Sequence, residues 1–180
     1  IRAQGLYIAN GFNINYKWGP FQHHDDELYM LWQQALYDVN SNLVYKKHIA
    51  TRSKYIPDKA SHVIYENLNK LNLDNYGFIV IDFISTAMVI ASASNVPIIY
   101  FHLGLINLND EALSDLRERV FWVDIDFEED IESQIVTGFN NFFSSIRKYN
   151  KQYSLKYSLS NKSFHEILAS ILNKSFKLNR

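Results

Sequence analysis

Cysteine is absent from the 180 residues, which removes disulfide scaffolds, thiolate metal sites and thiol nucleophiles together. The absence fits a reducing compartment, so a cytoplasmic location is expected. No stretch approaches the roughly 20 apolar residues that a membrane span requires. The N-terminal IRAQGLYIANG does not have the layout of a signal peptide, so the expectation is a soluble or peripheral protein. The common ligand motifs are missing too. There is no GxGxxG and no GxxxxGK[ST], which counts against a dinucleotide dehydrogenase or a P-loop NTPase. There is also no GxSxG elbow and no HExxH. Any ligand is therefore expected to be held by helix termini and scattered side chains.

What is present describes a globular chain. Hydrophobic residues make up 47% and charged residues 21%, too apolar a balance for disorder. At this length one domain over 1–180 is expected, burying roughly 70% of the surface of the unfolded chain. Because the sequence opens on Ile1, it is expected to be part of a longer polypeptide. Net charge is only −1, but residues 147–180 carry eight basic side chains against Glu166 alone. This basic extension, 150–180, is expected to be helical and either to be simply solvated or to meet something anionic, such as a lipid surface. Nucleic acid is not expected, because the remainder is acidic and repels phosphates.

Apolar spacing predicts alternating strands and helices. Strands are expected at 5–9, 43–49, 78–81, 97–101 and 120–123. Helices are expected from Asp25 or Asp26 to Val39, then over 60–71, 86–94, 110–119, 127–146 and 163–176. Phe78-Ile79-Val80-Ile81 is apolar at every position, as in parallel strands covered on both faces. The alternation predicts an α/β fold, a Rossmann-like, mostly parallel sheet with helices on both faces.

Ligands of such sheets bind outside the carboxyl ends of the strands, so the loops after strands carry the candidate residues. Asp82-Phe83-Ile84-Ser85-Thr86 leaves the buried strand and enters a helix of small residues. Ser85 or Thr86 would cap that helix, and its free amides and positive dipole end favour phosphate. The plain alternative is that Ser85 is only a cap and Asp82 a satisfied strand-end carboxylate. Lys46, Lys47 and His48 end an earlier strand, where two cations and an imidazole could neutralise a diphosphate or move a proton. His102 and Gly104 follow the next strand, and the glycine would let backbone approach a ligand. His23-His24-Asp25-Asp26 has metal-ligand residue types, but its place at a helix start favours capping.

Taken together, these residues resemble the second, donor-binding half of a GT-B glycosyltransferase of bacterial surface polysaccharide synthesis, a group that includes CDP-glycerol glycerophosphotransferases. The resemblance covers roughly 43–145. It is carried by Lys46-Lys47-His48-Ile49, Asp82-Phe83-Ile84-Ser85-Thr86, Asn95-Val96-Pro97 and Ile98-Ile99-Tyr100-Phe101, with Ile49 standing where the family has proline. It implies a nucleotide-activated sugar or polyol as donor, a glycan acceptor and no resident cofactor or metal. It also implies an acceptor-binding half outside these residues. Donor phosphate would meet Ser85 and Thr86, and His48 would lie near the diphosphate as the candidate catalytic group. The competing expectation is a non-catalytic α/β docking or regulatory module.

Overall fold

A computed structural model describes residues 4–11, 26–49, 54–105, 108–145 and 152–157. Its centre is a parallel sheet of six strands: β1 (Gly5–Ile8), β2 (Val44–Lys46), β3 (Val63–Ile64), β4 (Phe78–Ile81), β5 (Ile98–His102) and β6 (Phe121–Asp124). Their spatial order is β3-β2-β1-β4-β5-β6, which is the order of a doubly wound Rossmann-like sheet. The chain builds outward from β1 to β3, then returns to lay β4 on the other side of β1, with Leu6 opposite Ile79 and Ile8 opposite Ile81.

The period-two pleat divides the apolar side chains between two cores. Leu6, Ile8, Ile79, Ile81, Ile98 and Tyr100 face α2 (Thr86–Ala93), α3 (Asp110–Arg119) and α5 (Gln152–Tyr157). Tyr7, Phe78, Val80, Ile99 and Phe101 face α1 (Asp26–Val39) and α4 (Ile131–Ser144). Both faces are covered, which is why β4 is buried along its whole length. Gly138 lets α4 lie close to the sheet, because a Cβ there would come 3.0 Å from the Phe101 ring.

Among the described residues, three helices begin at side-chain caps. Ser85 accepts from the Ala87 amide at 3.2 Å, Asn109 from Ala112 at 2.9 Å and Asp130 from Glu132 at 3.2 Å. Each such cap contributes about 1 kcal/mol.

The helix expected over 60–71 does not form. Val63 and Ile64 instead pair with Tyr45 and Lys46 as β3, and Leu68–Lys70 and Leu73–Asn75 are single 3₁₀ turns on the way to β4. The leucines that suggested a helical stripe do become core, but from a non-helical connection: Leu68 and Leu73 pack with Ile79 and Met88. β-Branched Val63 and Ile64 fit the open edge of β2, and the tertiary ladder outweighs the weak 3.6-residue pattern. Two boundaries also move. β2 ends at Lys46, and α4 starts at Ile131, after its Asp130 cap. The short α5, which packs Tyr153 into the α2/α3 core, was not expected as a separate element. The expected helix over 163–176 lies outside the described residues.

Candidate functional site

Because every strand runs the same way, all the candidate residues lie along one edge, at the carboxyl ends. β1 and β4 are neighbours there, yet the chain leaves them in opposite directions: α1 covers one face of the sheet and α2 the other. Such a divergence is where open α/β sheets accept ligands. The described residues at this point are Ala9-Asn10-Gly11 after β1 and Asp82 to Ser85 after β4. The rest of the loop after β1, and His23-His24-Asp25 with it, lie outside the described residues.

The entrance to α2 is built as its sequence implies. Ser85 is extended (φ −147°, ψ −172°) and caps through Oγ, while its carbonyl accepts from Met88 at 3.0 Å. Ser85 is half-buried and Thr86 is exposed. The amides of a first helical turn point out of the helix with the positive end of its dipole. The opposite end of α2 is held by Arg119, at the end of α3. That side chain is 1% exposed and donates to the carbonyls of Ser92 (2.9 Å), Ala91 (3.3 Å), Ser94 (3.0 Å) and Val96 (3.0 Å). Nε and one terminal nitrogen of this buried guanidinium thus donate to carbonyls at and just beyond the helix C-terminus, an arrangement that the dipole favours.

Asp82 does not face the edge. It is 1% exposed and points into the α1 core, where Oδ2 accepts from Tyr7 Oη (2.5 Å) and Trp32 Nε1 (2.7 Å), and Oδ1 from Tyr29 Oη (2.9 Å). Burial pushes its pKa up to about 6, and the three donors hold it below where burial alone would take it. The two phenols are pushed well above their ordinary value, first by burial and then by the Asp82 charge. The Asp82 carboxylate is thus engaged within the protein, beneath the edge where it was expected to meet a ligand.

Lys46 is also turned inward. It is 3% exposed, its Nζ donates to the Lys47 carbonyl at 2.5 Å, and burial lowers its pKa. Lys47 continues the β2–β3 pairing, its amide donating to the Ile64 carbonyl at 3.0 Å. His48 is exposed as a residue, yet its ring rests on the loop after β1: a Cβ on Gly11 would come 2.6 Å from Nδ1. Desolvation first, and the Lys46 charge second, hold its pKa below the ordinary imidazole value. At neutral pH His48 is accordingly a neutral imidazole, able to accept a proton rather than to neutralise a diphosphate.

His102 ends β5 and lies over Trp122, with ring centroids 4.8 Å apart. Its Nδ1 is buried without a hydrogen-bond partner among the described residues. Burial lowers its pKa, Asp124 opposes that and Arg117 adds to it. Arg117 also sits 4.9 Å over the Trp122 ring, and Trp122 Nε1 donates to Asp124 at 2.8 Å. Gly104 is left-handed (φ 71°), with nothing within 4 Å of where a Cβ would lie. Its residue type is explained by the turn it makes.

The carboxyl edge thus gathers Ser85, Thr86, His48 and His102 on the surface, with Asp82 and Lys46 beneath. Parallel strands lie about 4.8 Å apart, so β5 is one spacing from β4 and β2 is two. Among the described residues no group of three acidic, histidine or cysteine side chains could hold a metal. Sequence reasoning missed Tyr7, Tyr29, Trp32 and Arg119. For the first three a signal existed: a strand-end carboxylate after a fully apolar strand needs buried donors, and Tyr29 and Trp32 are three apart on one helix face. Nothing local marked Arg119.

A cleft of about 570 Å³ opens at the other edge, between the amino ends of β1 and β4. Its lining, from Gln4, Asn40, Asn42 and Asn140 to Phe78 and Phe143, carries no formal charge. That chemistry does not suit a phosphate, so the carboxyl edge is the candidate site despite the hollow opposite. Compared with family models, curated proteins and solved structures, the chain gives no significant match to any of them.

Proposed function

We propose that this chain binds the phosphate of a nucleotide-activated sugar or polyol at the entrance to α2, as the donor half of a GT-B type transferase that extends a surface glycan. The observation that carries the reading is the strand order. It puts the DFIST turn beside the end of β1, where α1 and α2 depart to opposite faces. A phosphate there would meet the Ser85 and Thr86 turn, with charge on the departing nucleotide stabilised by the helix amides. His48, neutral at pH 7, suits proton transfer or hydrogen bonding to the diphosphate. No resident cofactor is required. The acceptor glycan and the residues that bind it would belong to a second half outside this sequence, in a cytoplasmic protein whose basic extension would meet anionic membrane.

Titrating CMP, CDP, UDP and GDP by calorimetry tests the reading on wild type and on a Ser85→Ala/Thr86→Ala variant. Binding of one of them, weakened at least tenfold in the variant, is expected. No heat with any of the four on the folded wild type overturns it.

A second reading, a docking module without catalysis, is favoured by the inward-turned Lys46 and Asp82, since two candidate ligand residues are used within the protein. It expects partner protection on a face remote from 82–86.

A further inference from the structure

We propose that Asp82 is a positioning residue: through the Tyr29 hydroxyl it fixes the Asn10-Gly11 backbone, and so the β1 side of the point where β1 and β4 diverge. The inference deepens the donor-site reading and rests on it only for the ligand arm of its test.

Asp82 accepts from three side chains, and one of them leads onward. The Tyr29 oxygen that donates to Asp82 Oδ1 at 2.9 Å also accepts the Asn10 amide at 3.0 Å. A hydroxyl that donates to a carboxylate is polarised, and its oxygen becomes the better acceptor. The charge on Asp82 therefore tightens the hold on Asn10. Asn10 precedes Gly11, on whose backbone the His48 ring rests. One chain of contacts thus runs from the end of β4, through α1, to the loop after β1 and on to the end of β2.

Trp32 and Tyr7 share Oδ2, so a role confined to the core would be served without the link to Asn10. The titratable groups facing Asp82 are the phenols of Tyr7 on β1, Tyr29 on α1 and Tyr45 on β2, with Tyr100 on β5 feeling its charge from the other face of the sheet, all raised by burial and neutral at ordinary pH. Within the hydrogen-bonded cluster the carboxyl is then the group that changes charge between about pH 5 and 7, while His48, whose ring lies against Gly11 and whose pKa is lowered by desolvation, is the other titratable group at this loop.

The test uses the whole chain, first without ligand, with Tyr29→Phe and Asp82→Asn variants checked for folding by circular dichroism. Amide exchange and the amide shift of Asn10 are followed by NMR. In Tyr29→Phe, Asn10 should exchange about tenfold faster while β1 stays protected. On a His48→Gln background, which removes the imidazole beside Gly11, its amide shift should titrate with a midpoint near 6, and adding Asp82→Asn should abolish that titration. An Asn10 amide that is indifferent to pH, or a titration that survives Asp82→Asn, overturns the proposal even if Tyr29→Phe does not fold. In the ligand arm, the nucleotide bound by wild type should bind at least threefold more weakly to Tyr29→Phe. If wild type binds no nucleotide, the donor-site reading fails while the exchange and titration results still decide the positioning role.

Discussion

A carboxylate withdrawn from water must find donors or lose its charge. Asp82 does part of both, and this makes its energetics sensitive to pH. Its native pKa, about 6, lies above the ordinary 3.8. The contribution is therefore fully present below the unfolded value and lost as pH rises through the native one. The difference corresponds to roughly 3 kcal/mol at neutral pH. Urea unfolding of wild type and Asp82→Asn between about pH 4 and 7.5 should show wild type losing up to that amount relative to the variant. A flat or opposite difference contradicts the assignment. Asp82→Leu removes the acceptor of three buried donors and should destabilise by about 3–5 kcal/mol, more than Asp82→Asn. Asp82 was visible in the sequence as the polar end of an apolar strand. Its direction was not, because the identity of its donors depends on how α1 lands on the sheet.

The position of α2 depends on its far end as much as on its cap. Arg119 satisfies four carbonyls from the last turn of α2 and the Asn95-Val96 bend, and α5 closes over the same face with Lys156 paired to Glu111 and Asp115 of α3. Part of the basic surplus after residue 147 is thus answered inside the chain. Arg119→Met keeps the bulk of the stem and removes the donors, so it should cost about 3 kcal/mol in urea unfolding, with Arg119→Lys intermediate. Equal stability of Arg119→Met and wild type would refute the bridging role. The elements that sequence reasoning recovered best, α3 and β4, have strong local signals: the Asn109 cap with acidic residues in the first turn, and four apolar residues in a row. Residues 60–71 lacked such a signal. Asn67 gives no side-chain cap there, and the ladder partner that makes Val63 and Ile64 a strand lies some twenty residues away on β2.

The whole molecule follows from the order of its strands. An unalternating β4 needs cover on both faces, the crossovers supply it, and reversal of the winding at β1 leaves one edge with a natural opening. That the sheet is parallel and covered on both sides was legible in Phe78 to Phe101. The order β3-β2-β1-β4-β5-β6 was not, because strand neighbours are chosen by long-range packing that no local spacing encodes. The two edges differ in chemistry, one offering a capped helix entrance with imidazoles nearby and the other an uncharged cleft lined by carboxamides and phenylalanines.

That difference lets one measurement address the central claim. Hydrogen exchange is compared across the chain with and without saturating CDP, UDP, CMP or GDP. The donor-site account predicts slowed exchange in 82–89, at the entrance to α2, and in the Asn10 loop, with the amino edge around Gln4 and Asn140 unchanged. Protection at the amino edge alone, or at neither edge with all four nucleotides, would contradict it.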